Sequence, residues 1–282
     1  MRIGITSGSY GRYPRETRYH IMKADGFDCI DFGMANTETG PYTLSGEELD
    51  AYIARERALA EEAGITIWQV HGPWRWPPQD TTEEDRAERM EKMKFSIDVT
   101  ARLGCKNWII HPIMPYGINE LGTEDAQKTW DLNVTFMREL LACAKEHDIY
   151  ICFENMPMPN FSLGSVEAIM RFVREMDDDH FRVCLDTGHV NVFEGQSLYD
   201  AVKMIGDKLQ ALHVHDNGGK LDEHKLPWLG TADWEGFGRA LREIGFEGVF
   251  SFETAPSGAL PTELYGDMLR FMVKSAQHII AQ

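Results

Sequence analysis

Seven short apolar stretches of this chain run into a histidine or a carboxylate. They read WQVHG around His71, WIIHP around His111, YICFEN around Glu154, FRVCLDTGH with Asp186 and His189, LHVHDN with His213, His215 and Asp216, GVFSFET around Glu253, and CIDFG around Asp31. An apolar run closing on such a residue is what parallel strands produce when their C-terminal ends face one pocket. Hard oxygen and imidazole donors gathered from many strands suggest a divalent cation. A lone strand-terminal histidine is more often a hydrogen-bonded structural residue, so the joint pattern carries the argument. Glu154, Asp186 and Glu253 sit in apolar contexts where an unpaired charge costs several kcal/mol. Lys and Arg are scarce in those segments, and a metal ion is the simplest neutraliser.

Two local spacings add to this set. Asp186-x-x-His189 places an imidazole one turn beyond a strand-end carboxylate, and Asp222-Glu223-His224 puts a carboxylate and an imidazole on a Gly-flanked loop. Trp74, Trp76, Trp228 and Trp234 stand in the same inter-element segments. They could floor a pocket for a sugar face or simply shield its rim.

The elements that must position these groups alternate from end to end. Strands are expected over 2–7, 29–32, 65–71, 107–111, 150–154, 181–186, 209–215 and 248–253, all nearly continuous in hydrophobicity, as strands covered on both faces are. Helices are expected between them. Ser45-x-x-Glu48 and Thr81-x-x-Glu84 read as capping-box starts, and Gly64 and Gly104 as helix stops. Leu49, Ile53 and Ala60, then Met90, Met93 and Ile97, then Trp130, Val134, Met137 and Leu141 recur at helical spacing, which marks faces packed on a sheet. Strict alternation over eight units predicts an α/β fold, a closed (β/α)8 TIM barrel, as one domain over residues 1–282. No G-x-G-x-x-G follows the first strand, which disfavours a doubly wound nucleotide-binding sheet.

Composition narrows the function. The chain has 282 residues and a formal charge of −17, from 45 acidic and 28 basic residues. Such a balance repels polyanions, so no nucleic-acid partner is expected. The five cysteines form no C-x-x-C pair and read as free thiols of a reducing cytoplasm. No apolar run approaches the length of a membrane span. Met-rich apolar helices permit a homo-oligomer without demanding one.

With these residues in view, the chain resembles the xylose-isomerase-like barrels, a superfamily of sugar isomerases and epimerases, inosose dehydratases and endonuclease IV. The resemblance spans essentially the whole chain. It implies a metal site of Glu154 in CFEN, Asp186 in CLDTGH, His213 in HVHD and Glu253 in SFET. His215 rivals His213; His213 is preferred because Asp216 then falls three residues later, as an acidic residue does in the family. His71 in VHGP and His111 in IIHP match family positions too. His189, Asp222 and His224 look like the trio that holds a further zinc in endonuclease IV, and serve otherwise as substrate-binding groups.

The expected chemistry is proton transfer at a carbon next to a carbonyl of a sugar or polyol-derived substrate, with Glu154 and Glu253 as the two catalytic carboxylates. The expected cofactor is one to three divalent ions, Mn²⁺ or Zn²⁺ first, with Co²⁺ or Mg²⁺ as further options. The same device serves epimerisation, isomerisation and dehydration. Two alternatives stand beside it: a multi-zinc phosphodiesterase like endonuclease IV, and a barrel that binds a sugar without converting it. The epimerase pattern has gaps. Lys220 is the nearest cation after HVHDNGGK, where ketose 3-epimerases carry an arginine, and Asn160 stands in place of their second acid.

Overall fold

A computed structural model describes every residue of the chain except Arg75 and Gln79. Eight strands occur in chain order: β1 Arg2–Thr6, β2 Cys29–Gly33, β3 Thr66–His71, β4 Asn107–Ile110, β5 Tyr150–Glu154, β6 Phe181–Asp186, β7 Leu209–His213 and β8 Val249–Phe252. All neighbouring pairs are parallel, and the order runs β7-β6-β5-β4-β3-β2-β1-β8. The ring is completed between β7 and β8 by a parallel bridge from Val214 to Phe252. There Val214 N donates to Ser251 O at 2.8 Å and Glu253 N donates to Val214 O at 3.1 Å. The fold is a (β/α)8 TIM barrel, as the alternation of the sequence implies.

Nine α-helices stand among the described residues: α1 Arg18–Asp25, α2 Gly46–Glu62, α3 Glu83–Arg102, α4 Glu124–Glu146, α5 Val166–Met176, α6 Thr187–Asn191, α7 Leu198–Ile205, α8 Trp234–Glu243 and α9 Thr262–Ile280. Their apolar faces pack on the barrel, where Phe153, Phe172 and Phe181 meet ring to ring. The expected stripes hold: Leu49, Ile53 and Ala60 are buried, as are Met90, Met93, Ile97, Met137 and Leu141. Inside the barrel, Ile109, Cys152, Cys184 and Ala211 form a small separate cluster. All five cysteines are unpaired. Among the described residues no helix is long and apolar enough to cross a membrane.

Several strand ends differ from the sequence expectation by a residue or two, and three features have a clear local reason. The strand expected to reach His215 ends at His213, because Val214 turns to bond β8 and Asp216 pairs antiparallel with Lys225. The capping box of α3 lies one residue on: Thr82 Oγ1 accepts from Asp85 N at 3.1 Å and Asp85 Oδ2 accepts from Thr82 N at 3.3 Å. Ser45 precedes α2, but its hydroxyl caps no backbone group. Gly64 and Gly104 close α2 and α3 at φ values of 69° and 78°, left-handed turns that suit glycine.

Candidate active site at the barrel mouth

The last residues of β3, β5, β6 and β7 are His71, Glu154, Asp186 and His213, while His111 and Glu253 follow the ends of β4 and β8 by one residue. The barrel thus delivers six of the singled-out side chains to one rim. Glu154, Asp186, His213 and Glu253 each offer a donor atom within 4.8 Å of the others'. His213 is central and fully buried. Its Nδ1 lies 2.9 Å from Glu154 Oε1 and 3.3 Å from Glu253 Oε2, and its Nε2 lies 2.9 Å from Asp31 Oδ2.

His215 belongs to an adjoining group. Its Nε2 is 3.0 Å from the Asp186 carboxylate and 3.5 Å from Asp222 Oδ1. His189, His215, Asp222 and His224 form a second set of close donors, and His71, Glu154 and His213 a third. His189 Nε2 and His224 Nε2 lie 3.3 Å and 3.2 Å from Asp222 Oδ2. His111 Nε2 lies 3.0 Å from Glu154 Oε2. Every residue expected from the sequence is therefore at the mouth, and Glu154 and Asp186 link the groups.

Several positioning residues carry no signal in the sequence beyond their adjacency to these groups. Asn155 clamps β6 with both ends of its amide: Oδ1 accepts from Asp186 N at 2.9 Å and Nδ2 donates to Asp186 O at 3.1 Å. Its own carbonyl accepts from His189 Nδ1 at 2.7 Å. Asp186 Oδ1 also caps α6 by accepting from His189 N at 2.7 Å. Gly188 leaves room for the His215 ring, since a Cβ there would stand 1.9 Å from Cε1. Asp216, buried, accepts from the backbone of Asn217, Trp228, Gly230 and Ala232 and from Trp234 Nε1, all between 2.8 and 3.1 Å. That carboxylate folds the segment carrying Asp222 and His224 back over the rim.

The mouth opens into a cavity of about 930 Å³. His71, His111, His189, Asp222, His224 and Glu253 line its floor, and Trp74, Trp76, Met156, Pro157 and Met158 its wall. No described residue lining it is Lys or Arg. Trp234 is buried as the Asp216 donor and Trp228 stands edge-on to His278, so only two of the four tryptophans face this space. The N–H groups of Gly218 and Gly219 are taken up within their own loop: Gly218 N donates to Glu223 Oε2 at 2.6 Å and Gly219 N to Asn217 Oδ1 at 2.8 Å.

The electrostatics test whether these residues suit a cation. Burial, together with the Glu154 and Asp186 carboxylates, pushes Glu253 up to about 8 against the pull of His213. Burial also opposes charge on Glu154, yet His213 and His111 hold its carboxyl well below the usual range. Burial takes His111 down to about 4. His189, buried, and His224, 41% exposed, are raised to about 10 and about 9 by the surrounding carboxylates. Glu154 Oε2 is buried with no well-aligned hydrogen bond, although His111 Nε2 is near. Three carboxylates around one imidazole, with an orphaned oxygen among them, fit a divalent ion.

A pH dependence follows. The raised acid of Glu253 favours the metal-free fold below the ordinary carboxylate value of 4.5, and that contribution fades as pH rises through about 8. A cation bound by this carboxylate must displace its proton near neutrality. Calorimetric metal titrations are expected to release protons, read as heats that differ between phosphate and Tris buffers. Affinity is expected to rise between about pH 6 and 8. Heats independent of the buffer would contradict this.

A profile described as the xylose isomerase-like TIM barrel matches residues 20–275. The chain belongs to this xylose isomerase-like family. An uncharacterised protein of Methanocaldococcus jannaschii is 28% identical over 187 residues, covering 65% of this chain and 63% of that protein, so the chain spans just under two thirds of it. A D-psicose 3-epimerase of Ruminiclostridium cellulolyticum is 27% identical over 239 residues, 82% of this chain and 75% of that enzyme. A probable endonuclease 4 of Mycoplasmopsis agalactiae is 25% identical over 171 residues, 55% of each chain. Among solved structures, D-psicose 3-epimerase with D-tagatose from Clostridium cellulolyticum H10 superposes with a TM-score of 0.79 at 20% identity, covering 99% of both chains. At that identity the likeness is one of fold. The relatives thus include both an epimerase and a probable endonuclease.

Proposed function

We propose that this chain is a divalent-metal-dependent sugar epimerase or isomerase that moves a proton at a carbon next to a carbonyl. The observation that carries the reading is the convergence of Glu154, Asp186, His213 and Glu253, whose donor atoms lie within 4.8 Å of one another, with Glu253 also lining the cavity. These four residues would hold the cation, which when bound polarises the substrate carbonyl and stabilises the negative charge of an enediolate. Glu253 faces the cavity and, once the cation has displaced its proton, has a carboxylate oxygen able to take up the α-proton. Glu154 serves as the second carboxylate and returns a proton. His71, His111 and His189 hold substrate oxygens, and Trp74 and Trp76 cover an apolar sugar face. The substrate is a small sugar, and the protein acts in the cytoplasm.

The test is solvent exchange. A ketose panel incubated with the metal-loaded protein in D2O is expected to yield one substrate that gains deuterium at the carbon next to its carbonyl. Prior treatment with a chelator is expected to lower that rate at least ~100-fold, with recovery on adding Mn²⁺. Binding heat without any exchange would instead support a sugar-binding barrel. The two further donor groups favour a second reading, a multi-zinc phosphodiesterase. The formal charge of −17 and the absence of Lys or Arg from the described cavity lining weigh against it. Incision of abasic-site DNA at catalytic rates by the zinc-loaded protein would reverse that ranking.

A further inference from the structure

The N-terminal half of the barrel contributes a carboxylate that reaches the proposed cation cluster through a hydrogen bond to His213. Asp31 is 1% exposed. Its Oδ2 lies 2.9 Å from His213 Nε2, although β2 and β7 are not adjacent in the ring. The bond therefore crosses the barrel interior. Gln69 from β3 donates to the same Oδ2 at 3.0 Å and to the carbonyl of Leu212, the residue before His213, at 3.2 Å. The ladder is built to allow this. Between Ile30 and Asp31 the register of β2 on β3 shifts, so that Ile30 pairs with Ile67 but Asp31 pairs with Gln69. Such an irregularity re-aims side chains. Asp31 Oδ1 is buried without a partner, so this charge is costly to keep.

We propose that Asp31 is a positioning residue that locks His213 as its Nε2–H tautomer, so that His213 ligates the cation through Nδ1. This rests on the metal reading above. With the cation bound, His213 is a neutral imidazole with one N–H and one lone pair. Asp31 Oδ2 is an acceptor, already receiving Gln69, so the proton of His213 sits on Nε2. The lone pair on Nδ1 then points between Glu154 and Glu253, 2.9 Å and 3.3 Å away. A carboxylate behind a ligating imidazole fixes its orientation and strengthens it as a donor. Gln69 holds the carboxylate itself in place.

The experiment is 15N-histidine NMR of the zinc-loaded protein, with zinc titrated while the His213 resonances are followed. The expected wild-type result is a zinc-shifted Nδ1 and a one-bond proton on Nε2. Asp31→Asn is expected to weaken the affinity read at His213 by ~10–100-fold, and Gln69→Leu by a smaller factor, with melting temperatures showing folded protein. A zinc-bound Nε2, or undiminished affinity in a folded Asp31→Asn variant, overturns the role of Asp31 and leaves the metal site standing. Absence of any zinc effect on His213 in the wild type overturns the metal reading and this inference together. Should the Asp31 variants not fold, the protonated nitrogen in the wild type still decides.

Discussion

Glu253→Gln is expected to lower kcat by ~10²–10⁴-fold, the range that a proton-transferring side chain supplies. The amide keeps the size and hydrogen-bonding reach of the side chain but cannot accept the α-proton. Glu253 is the member of the four-residue cluster that lines the cavity, so its removal strikes the step itself. Because Glu253 is also a proposed ligand, the rate is to be read at saturating metal, as deuterium incorporation into whichever ketose the wild type exchanges. The melting temperature is expected to stay near that of wild type, since the side chain is about one fifth exposed, at 21%. Full activity in this variant would remove Glu253 from the chemistry. Glu154→Gln is expected to be as damaging and also to weaken metal binding, because Glu154 is fully buried and faces His111 and His213.

Asp216→Ala is expected to carry the largest cost in stability. Five donors converge on this carboxylate: four backbone N–H groups and the indole of Trp234. Hydrogen bonds to a charged group contribute ~1.5–3 kcal/mol each, and they are not additive. A loss of ~3–5 kcal/mol is expected, because the stranded donors are half-buried or buried. The functional effect follows from where the segment leads, since the chain between Asn217 and Ala232 carries Asp222 and His224. Chemical denaturation measures the first effect. Zinc binding at His189, Asp222 and His224, read by histidine NMR, measures the second. A variant within ~1 kcal/mol of wild type would show that the segment is held by other contacts.

Much of this was legible from the chain alone, because strand ends are local features. The runs YICFE and FRVCLD are β5 and β6 residue for residue, since each is an apolar run, broken in β6 by Arg182 alone, that closes on one carboxylate. The α3 start was misplaced by one residue because TTEED offers two overlapping capping boxes, and only the fold chooses Thr82 with Asp85. His213 and His215 could not be separated from spacing alone, as both project to one side of an extended strand. The departure of Val214 toward β8 decides where each ring goes. Asp31 stood in plain view in CIDFG, but its partner is 182 residues away. Nothing local tells a strand-end carboxylate that supports a ligand from one that is a ligand.

The central claim is that Glu154, Asp186, His213 and Glu253 share one divalent cation. Anomalous scattering from crystals grown with zinc tests this most directly, since the peak locates the ion independently of the protein atoms. The predicted result is a peak enclosed by these four side chains, about 2.0–2.2 Å from their oxygen and nitrogen donors. Strong peaks elsewhere with none among these four, or no peak at the barrel mouth, would contradict it.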